Sequence, residues 1–274
     1  MSEKVTIFEV GPRDGLQNQS AFVPTEQKIA MVNGLAQAGL EKIEVSSFVS
    51  PSWVPQLADA ADVFQGIARR SATTYSALVP NVTGLKAAIA ANVTEVAIFA
   101  SASERFSQKN INCSIAKSIE RFKPVLELAS QNNIKVRGYV SCITDCPYEG
   151  RIEPAAVTSV TEDLLRLGCY EVSLGDTIGA STSDKITEVL QELLVSVPAE
   201  QLAGHFHDTH GRALENIDVC LQHGVRVFDA AVGGLGGCPF APGAKGNVAT
   251  EKIVEFLQQK GFETGIDLQQ LRKI

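Results

Sequence analysis

Several features are scarce in this 274-residue chain, and each scarcity removes a class of function. No apolar run approaches the roughly 20 residues needed to cross a bilayer, so no membrane partner is expected. Basic residues do not dominate: 24 Lys and Arg stand against 31 Asp and Glu, a formal charge of -7. Neutralising a phosphate backbone needs a basic face, so no nucleic-acid partner is expected. The six cysteines, at 113, 142, 146, 169, 220 and 238, include no Cys-x-x-Cys pair. A chain this long builds its core without disulfide staples, and the cysteines read as reduced thiols. The turn after the first strand-like run lacks the G-x-G-x-x-G of a dinucleotide fold; it reads Gly11-Pro12-Arg13-Asp14-Gly15. No Gly-Lys-Ser/Thr follows the glycines near position 235, which excludes a phosphate loop. The N-terminus, Met1-Ser2-Glu3-Lys4, enters a strand-like run without a leader pattern, so a cytoplasmic location is expected.

What is present is a steady alternation. Short β-branched or apolar runs fall at 5–10, 42–46, 73–79, 94–100, 134–141, 170–174, 202–207 and 225–232. Amphipathic stretches separate them. The clearest carries Ile186, Val189, Leu190, Leu193 and Leu194 at i, i+3, i+4, i+7 and i+8, one apolar helical face. Gly39, Gly168 and Gly224 each precede a strand, where helix C-caps belong. Eight strands alternating with helices predict an α/β chain folded as a (β/α)8 TIM barrel. It is expected to be a single domain over 1–274, with a core of about 5–259 and a short C-terminal extension over 260–274.

Active sites of such barrels lie at the C-terminal ends of the strands. Arg13 and Asp14 follow strand 1, Glu44 sits within strand 2, and Asp176 ends strand 6. Strand 7 ends in His205-Phe206-His207. Side chains alternate along a strand, so both imidazoles share one face and Phe206 takes the other. Two imidazoles could simply be hydrogen-bonded to polar groups of the barrel. With Asp14 and the neighbouring carboxylates, however, they make a candidate site for a divalent metal, with Mg2+ or Mn2+ suited to a mixed N/O set and zinc also open. Arg13 is either a structural ion pair with a carboxylate such as Glu44 or a cation aimed at a developing oxyanion. Glu44, as a buried carboxylate, needs a partner. The stretch 233–247 holds six glycines, with Cys238 among them and Asn247 closing it. Such density implies backbone freedom, as in a loop that closes over substrate and delivers a thiol.

The same residues carry a family resemblance. Val10-Gly11-Pro12-Arg13-Asp14-Gly15-Leu16-Gln17-Asn18 resembles the strand-1 motif of 3-hydroxy-3-methylglutaryl-CoA (HMG-CoA) lyases. So do the stretches at 46–56, 109–114, 137–142, 146–150 and 173–179, and most specifically GGLGGCPFAPGAKGN at 233–247. The wider group contains barrel lyases and Claisen synthases that share Arg-Asp on strand 1 and His-x-His on strand 7. The resemblance implies a metal-dependent retro-Claisen cleavage of HMG-CoA to acetoacetate and acetyl-CoA. It implies Asp14, His205, His207 and Asn247 as metal ligands, Arg13 as the stabiliser of the enolate-like oxygen, and Cys238 as catalytic acid. His205 becomes a candidate for handling the hydroxyl proton, Glu44 and Asp176 are further active-site residues, and Gln17 joins Arg13 as a substrate contact. It further implies an acyl-CoA substrate and a homodimer. One departure is His210-Gly211-Arg212, where Tyr-Gly-Gln is expected. Lyases of this kind also accept bulkier 3-substituents, and an isopropylmalate- or citramalate-type synthase is the more distant alternative.

Overall fold

The computed structural model describes residues 3–17, 19–238 and 241–274, with the side chains of 237, 238 and 241–245 excepted. Eight parallel strands close into a barrel: β1 (Thr6–Glu9), β2 (Lys42–Ser47), β3 (Thr74–Leu78), β4 (Glu95–Ser101), β5 (Lys135–Ser141), β6 (Glu171–Asp176), β7 (Leu202–Phe206) and β8 (Val227–Ala230). Neighbours pair in chain order, and the register Thr6↔Val227 through Glu9↔Ala230 joins the last strand to the first. This is the predicted (β/α)8 TIM barrel.

Helices α1 (Thr25–Gln37), α2 (Ala60–Gly66), α3 (Val82–Ala90), α4 (Glu104–Ile111), α5 (Ile115–Gln131), α6 (Pro154–Leu167), α7 (Ser183–Leu193), α8 (Ala213–Gln222) and α9 (Thr250–Gln259) lie between and after the strands. Local sequence sets their ends. Asn81, Ser103 and Ser114 each accept a first-turn N–H, from Gly84, Phe106 and Lys117, and Pro154 opens α6 where its missing N–H is harmless. Gly39, Gly168 and Gly224 have φ of +98°, +114° and +89°, as helix exits require. Ile186, Val189, Leu190 and Leu193 of α7 are all buried. The residues after 259 turn back onto the start of the chain. Val5 N–H donates to Glu263 O, Asp267 N–H donates to Ala38 O, and α10 (Leu268–Leu271) packs on α1. Cys113, Cys142, Cys146, Cys169 and Cys220 are buried free thiols. Among the described residues, no helix is long and apolar enough to cross a membrane.

Candidate active site

The turn after β1 is wound tightly, with the N–H groups of Arg13, Asp14 and Gly15 all donating to Val10 O. A Cβ on Gly11 would stand 2.6 Å from Glu9 Oε1, the oxygen that accepts the Gly11 N–H, so a larger residue there would have to displace that buried carboxylate. Arg13 is thereby brought across to β2. Its Nε donates to Glu44 Oε2 at 2.5 Å and its Nη1 to Asp14 Oδ1 at 2.7 Å. Glu44 is fully buried, and the strand register shifts between Glu44 and Ser46, a bulge beside the site. Burial pushes the Glu44 carboxyl up, against the pull of Arg13. The expectation that Glu44 partners Arg13 is met in the geometry. Arg13 also lies 5.6 Å from the centre of the Tyr139 ring.

Asp14, His205 and His207 converge, each offering a ligand atom within 4.8 Å of the others. The two imidazole rings lie 5.4 Å apart, as two same-face residues at the end of β7 should. His207 forms a backbone bridge with Asn247, which closes the glycine-rich stretch onto β7. Asn247 donates its amide N–H to Asp14 Oδ2 at 2.7 Å and to Leu235 O at 3.2 Å. Gln17 donates to Asp14 Oδ1 at 3.4 Å. Burial would raise the Asp14 carboxyl, yet Arg13, both imidazoles and the Asn247 hydrogen bond together hold it below the usual carboxylate range. Burial, reinforced by neighbouring His205, lowers His207 to about 4, so its ring is neutral at pH 7.

These residues suit a divalent cation. Metal ligation needs an ionised carboxylate and neutral imidazoles, and Asp14 and His207 are held in those forms. His207 Nδ1 is buried with no hydrogen-bond partner among the described residues, a polar ring nitrogen that its surroundings leave unused. A cavity of about 1130 Å³ opens between α2 and α3, but none of Arg13, Asp14, His205, His207 or Asn247 lines it. The donor set, and not this cavity, locates the chemistry.

Two sequence-derived candidates are not brought into this cluster by any described contact. Asp176 is buried at the end of β6 and accepts the N–H groups of Ala180 and Ser181, both at 3.1 Å. Its carboxyl, raised by burial, organises its own loop. The Cys238 side chain lies outside the described residues. The backbone there is a two-stranded hairpin, Gly237–Cys238 against Ala241–Lys245, where the glycine content led us to expect irregular loop.

Sequence reasoning missed the layer beneath. His205 Nδ1 lies 3.1 Å from Asp229 Oδ2 in β8. Arg137 of β5 forks onto Asp229 and also donates to Glu171, while Ser173 reaches Asp229 as well. Asp229 is held at about 2: burial would raise it, but Arg137 and His205 outweigh burial. Burial lowers His205 in turn, and the hydrogen bond and charge of Asp229 reverse that effect to a net rise. Charged residues inside otherwise apolar strands were the available clue, the one that had drawn attention to Glu44.

Comparison with known proteins gives one family. A family model described as HMGL-like matches residues 4–274. A 3-hydroxy-3-isohexenylglutaryl-CoA/hydroxy-methylglutaryl-CoA lyase of Pseudomonas aeruginosa is 53% identical, covering 99% of this chain and 90% of that protein. A cytoplasmic 3-hydroxy-3-methylglutaryl-CoA lyase of Danio rerio is 56% identical, covering 96% of this chain and 79% of that protein. The crystal structure of the HMG-CoA lyase from Brucella melitensis superimposes with a TM-score of 0.98 at 58% identity, over 99% of this chain and 96% of that one.

Proposed function

The chain belongs to the HMGL-like family, and from that premise we propose that it is a carbon–carbon lyase cleaving HMG-CoA to acetoacetate and acetyl-CoA. The observation that carries this reading is the meeting of Asp14, His205 and His207 on one rim with Arg13 hydrogen-bonded to Asp14. Asp14, His205, His207 and Asn247 would hold a divalent ion, Mg2+ or Mn2+ by the mixed N/O character of the set. Lewis-acid polarisation of the substrate's hydroxyl and distal carboxylate is the chemistry such an ion supplies when bound.

The chain's own residues divide the remaining work. Arg13 Nη2, free of the Glu44 and Asp14 bonds, is the donor for the thioester oxygen, where charge gathers as the C2–C3 bond breaks. His205 takes the C3 hydroxyl proton, and C3 becomes the ketone carbon of acetoacetate. The electron pair passes to C2, and the Cys238 thiol protonates C2 to complete acetyl-CoA. The proton held on His205 restores the thiol. Glu44 keeps Arg13 oriented, Gln17 contacts substrate beside Asp14, and Asp176 shapes the loop after β6. The acyl width is the finer question, since the Pseudomonas relative is named for both a methyl and an isohexenyl substituent.

A homodimer, a cytoplasmic location and a single domain with an extension over 260–274 belong to the same proposal. They are supported by the family resemblance, by the name of the zebrafish relative and by one hydrophobic cluster that includes residues from Val5 to Leu271. The test is incubation of the purified protein with HMG-CoA, Mg2+ and a thiol reductant. Acetoacetate release is expected, lost on chelation and restored by Mg2+ or Mn2+. Folded, metal-bound protein that releases none would overturn the substrate assignment. Release of free CoA from acetyl-CoA plus a 2-oxo acid would point to a synthase instead.

A further inference from the structure

We infer that Asp229 is a positioning residue that fixes which nitrogen of His205 carries the proton, with Arg137 and Ser173 holding Asp229 to that task. The inference rests on the metal reading above. Asp229 and His205 are direct register partners on adjacent parallel strands, so their side chains leave the same face side by side. Asp229 Oδ1 accepts from Arg137 Nη2 at 2.7 Å, and Oδ2 accepts from Arg137 Nη1 at 3.1 Å and Ser173 Oγ at 2.7 Å. A guanidinium has only N–H groups to offer, so both oxygens of Asp229 are committed as acceptors. The remaining contact, 3.1 Å from Oδ2 to His205 Nδ1, must therefore be donated by the imidazole. A neutral ring with its proton on Nδ1 has its lone pair on Nε2, the nitrogen left for Asp14 and His207.

The support behind Asp229 cannot readily swing away. Arg137 is fully buried, its Nε bonded to Glu171 Oε1 at 2.6 Å and its guanidinium 4.2 Å from the centre of the Phe8 ring. In free histidine the opposite, Nε2–H, form predominates, so the barrel must select the less common one. His207 supplies the contrast: its Nδ1 has no partner among the described residues. One consequence bears on mechanism. With Nδ1–H on Asp229, His205 has a single free lone pair, so holding an ion and accepting the hydroxyl proton would both fall to that one atom.

Two measurements test this. The first is 15N–1H NMR of Mg2+-loaded protein labelled at histidine, in which the His205 proton should reside on Nδ1. The second is Mn2+ affinity, read by EPR of the free ion. Asp229→Asn removes the carboxylate charge and one of the two acceptor oxygens, which loosens the hold on the His205 Nδ1 proton and should weaken Mn2+ binding by about 10–100-fold, with the far-UV CD spectrum unchanged. Ser173→Ala should weaken it by less than about 10-fold. Folded Asp229→Asn that binds Mn2+ like the wild type would overturn the inference alone, as would a His205 proton found on Nε2. Wild-type protein that takes up no Mn2+ would overturn the metal reading, and this inference with it. Should Asp229→Asn not fold, the wild-type NMR spectrum decides by itself.

Discussion

Two arginines divide the barrel interior into a mouth and a foundation. Arg137, between β5, β6 and β8, is fully buried and has all three guanidinium nitrogens committed, to Glu171 and twice to Asp229. Arg13, in the turn after β1, is 6% exposed and commits Nε to Glu44 and Nη1 to Asp14, which leaves Nη2 for a further acceptor. A guanidinium with every nitrogen engaged holds structure together. One with a donor to spare at the rim can recognise a substrate. Glu9 extends the contrast to carboxylates. Like Asp229 it is buried, but among the described residues it accepts from Gly11 N–H, Val232 N–H and the Thr250 hydroxyl and forms no ion pair. Burial pushes it up to about 7, whereas Arg137 helps to hold Asp229 near 2.

The strongest test of this contrast is Arg137→Met, which strands Asp229 and Glu171 without their cation. A loss of about 3–5 kcal/mol in unfolding free energy is expected, measured by urea denaturation. Arg13→Gln keeps an N–H donor for Glu44, whose carboxyl burial already pushes up, so it should lose less stability than Arg137→Met while lowering kcat by about 10²–10³-fold. Equal stability losses in the two variants would erase the distinction. Within the mouth, His207→Ala should lose Mn2+ affinity by at least about 10-fold, and Cys238→Ser should keep it while turnover drops by about 10²-fold. Isothermal titration beside steady-state kinetics separates them; matching metal losses would contradict the division of roles.

The smallest effect concerns Glu9. Because its folded pKa is raised, its contribution to stability is fully present below the ordinary carboxyl range and fades as pH rises through about 7. Glu9→Gln keeps an acceptor for the two N–H groups and a donor for Thr250. It should therefore flatten the fall in stability between about pH 4.5 and 7. Thermal melts across that window would show it, and parallel profiles for the two proteins would refute it.

Much of this was legible along the chain. The eight strand runs all fall where the barrel strands lie, and the glycines expected at helix exits adopt positive φ. His205 and His207 share a face because a strand alternates. Glu44 was read as needing a partner, and Arg13 is that partner. Asp229 and Arg137 carried the same clue, a charge inside an apolar strand, but their meaning depends on each other across 92 residues. Asp176 lay at the right strand end, yet its carboxylate turns to its own loop.

The sequence by itself thus determined the period, the element type, the strand ends and the family, because each is written in local spacing or a contiguous motif. Barrel closure decided the rest. Only pairing β8 with β1 and β7 brings Asp229 against His205, and Asn247 against Asp14. The physical reason is that a hydrogen bond or pKa shift depends on distance in space, which strand register sets and residue number does not.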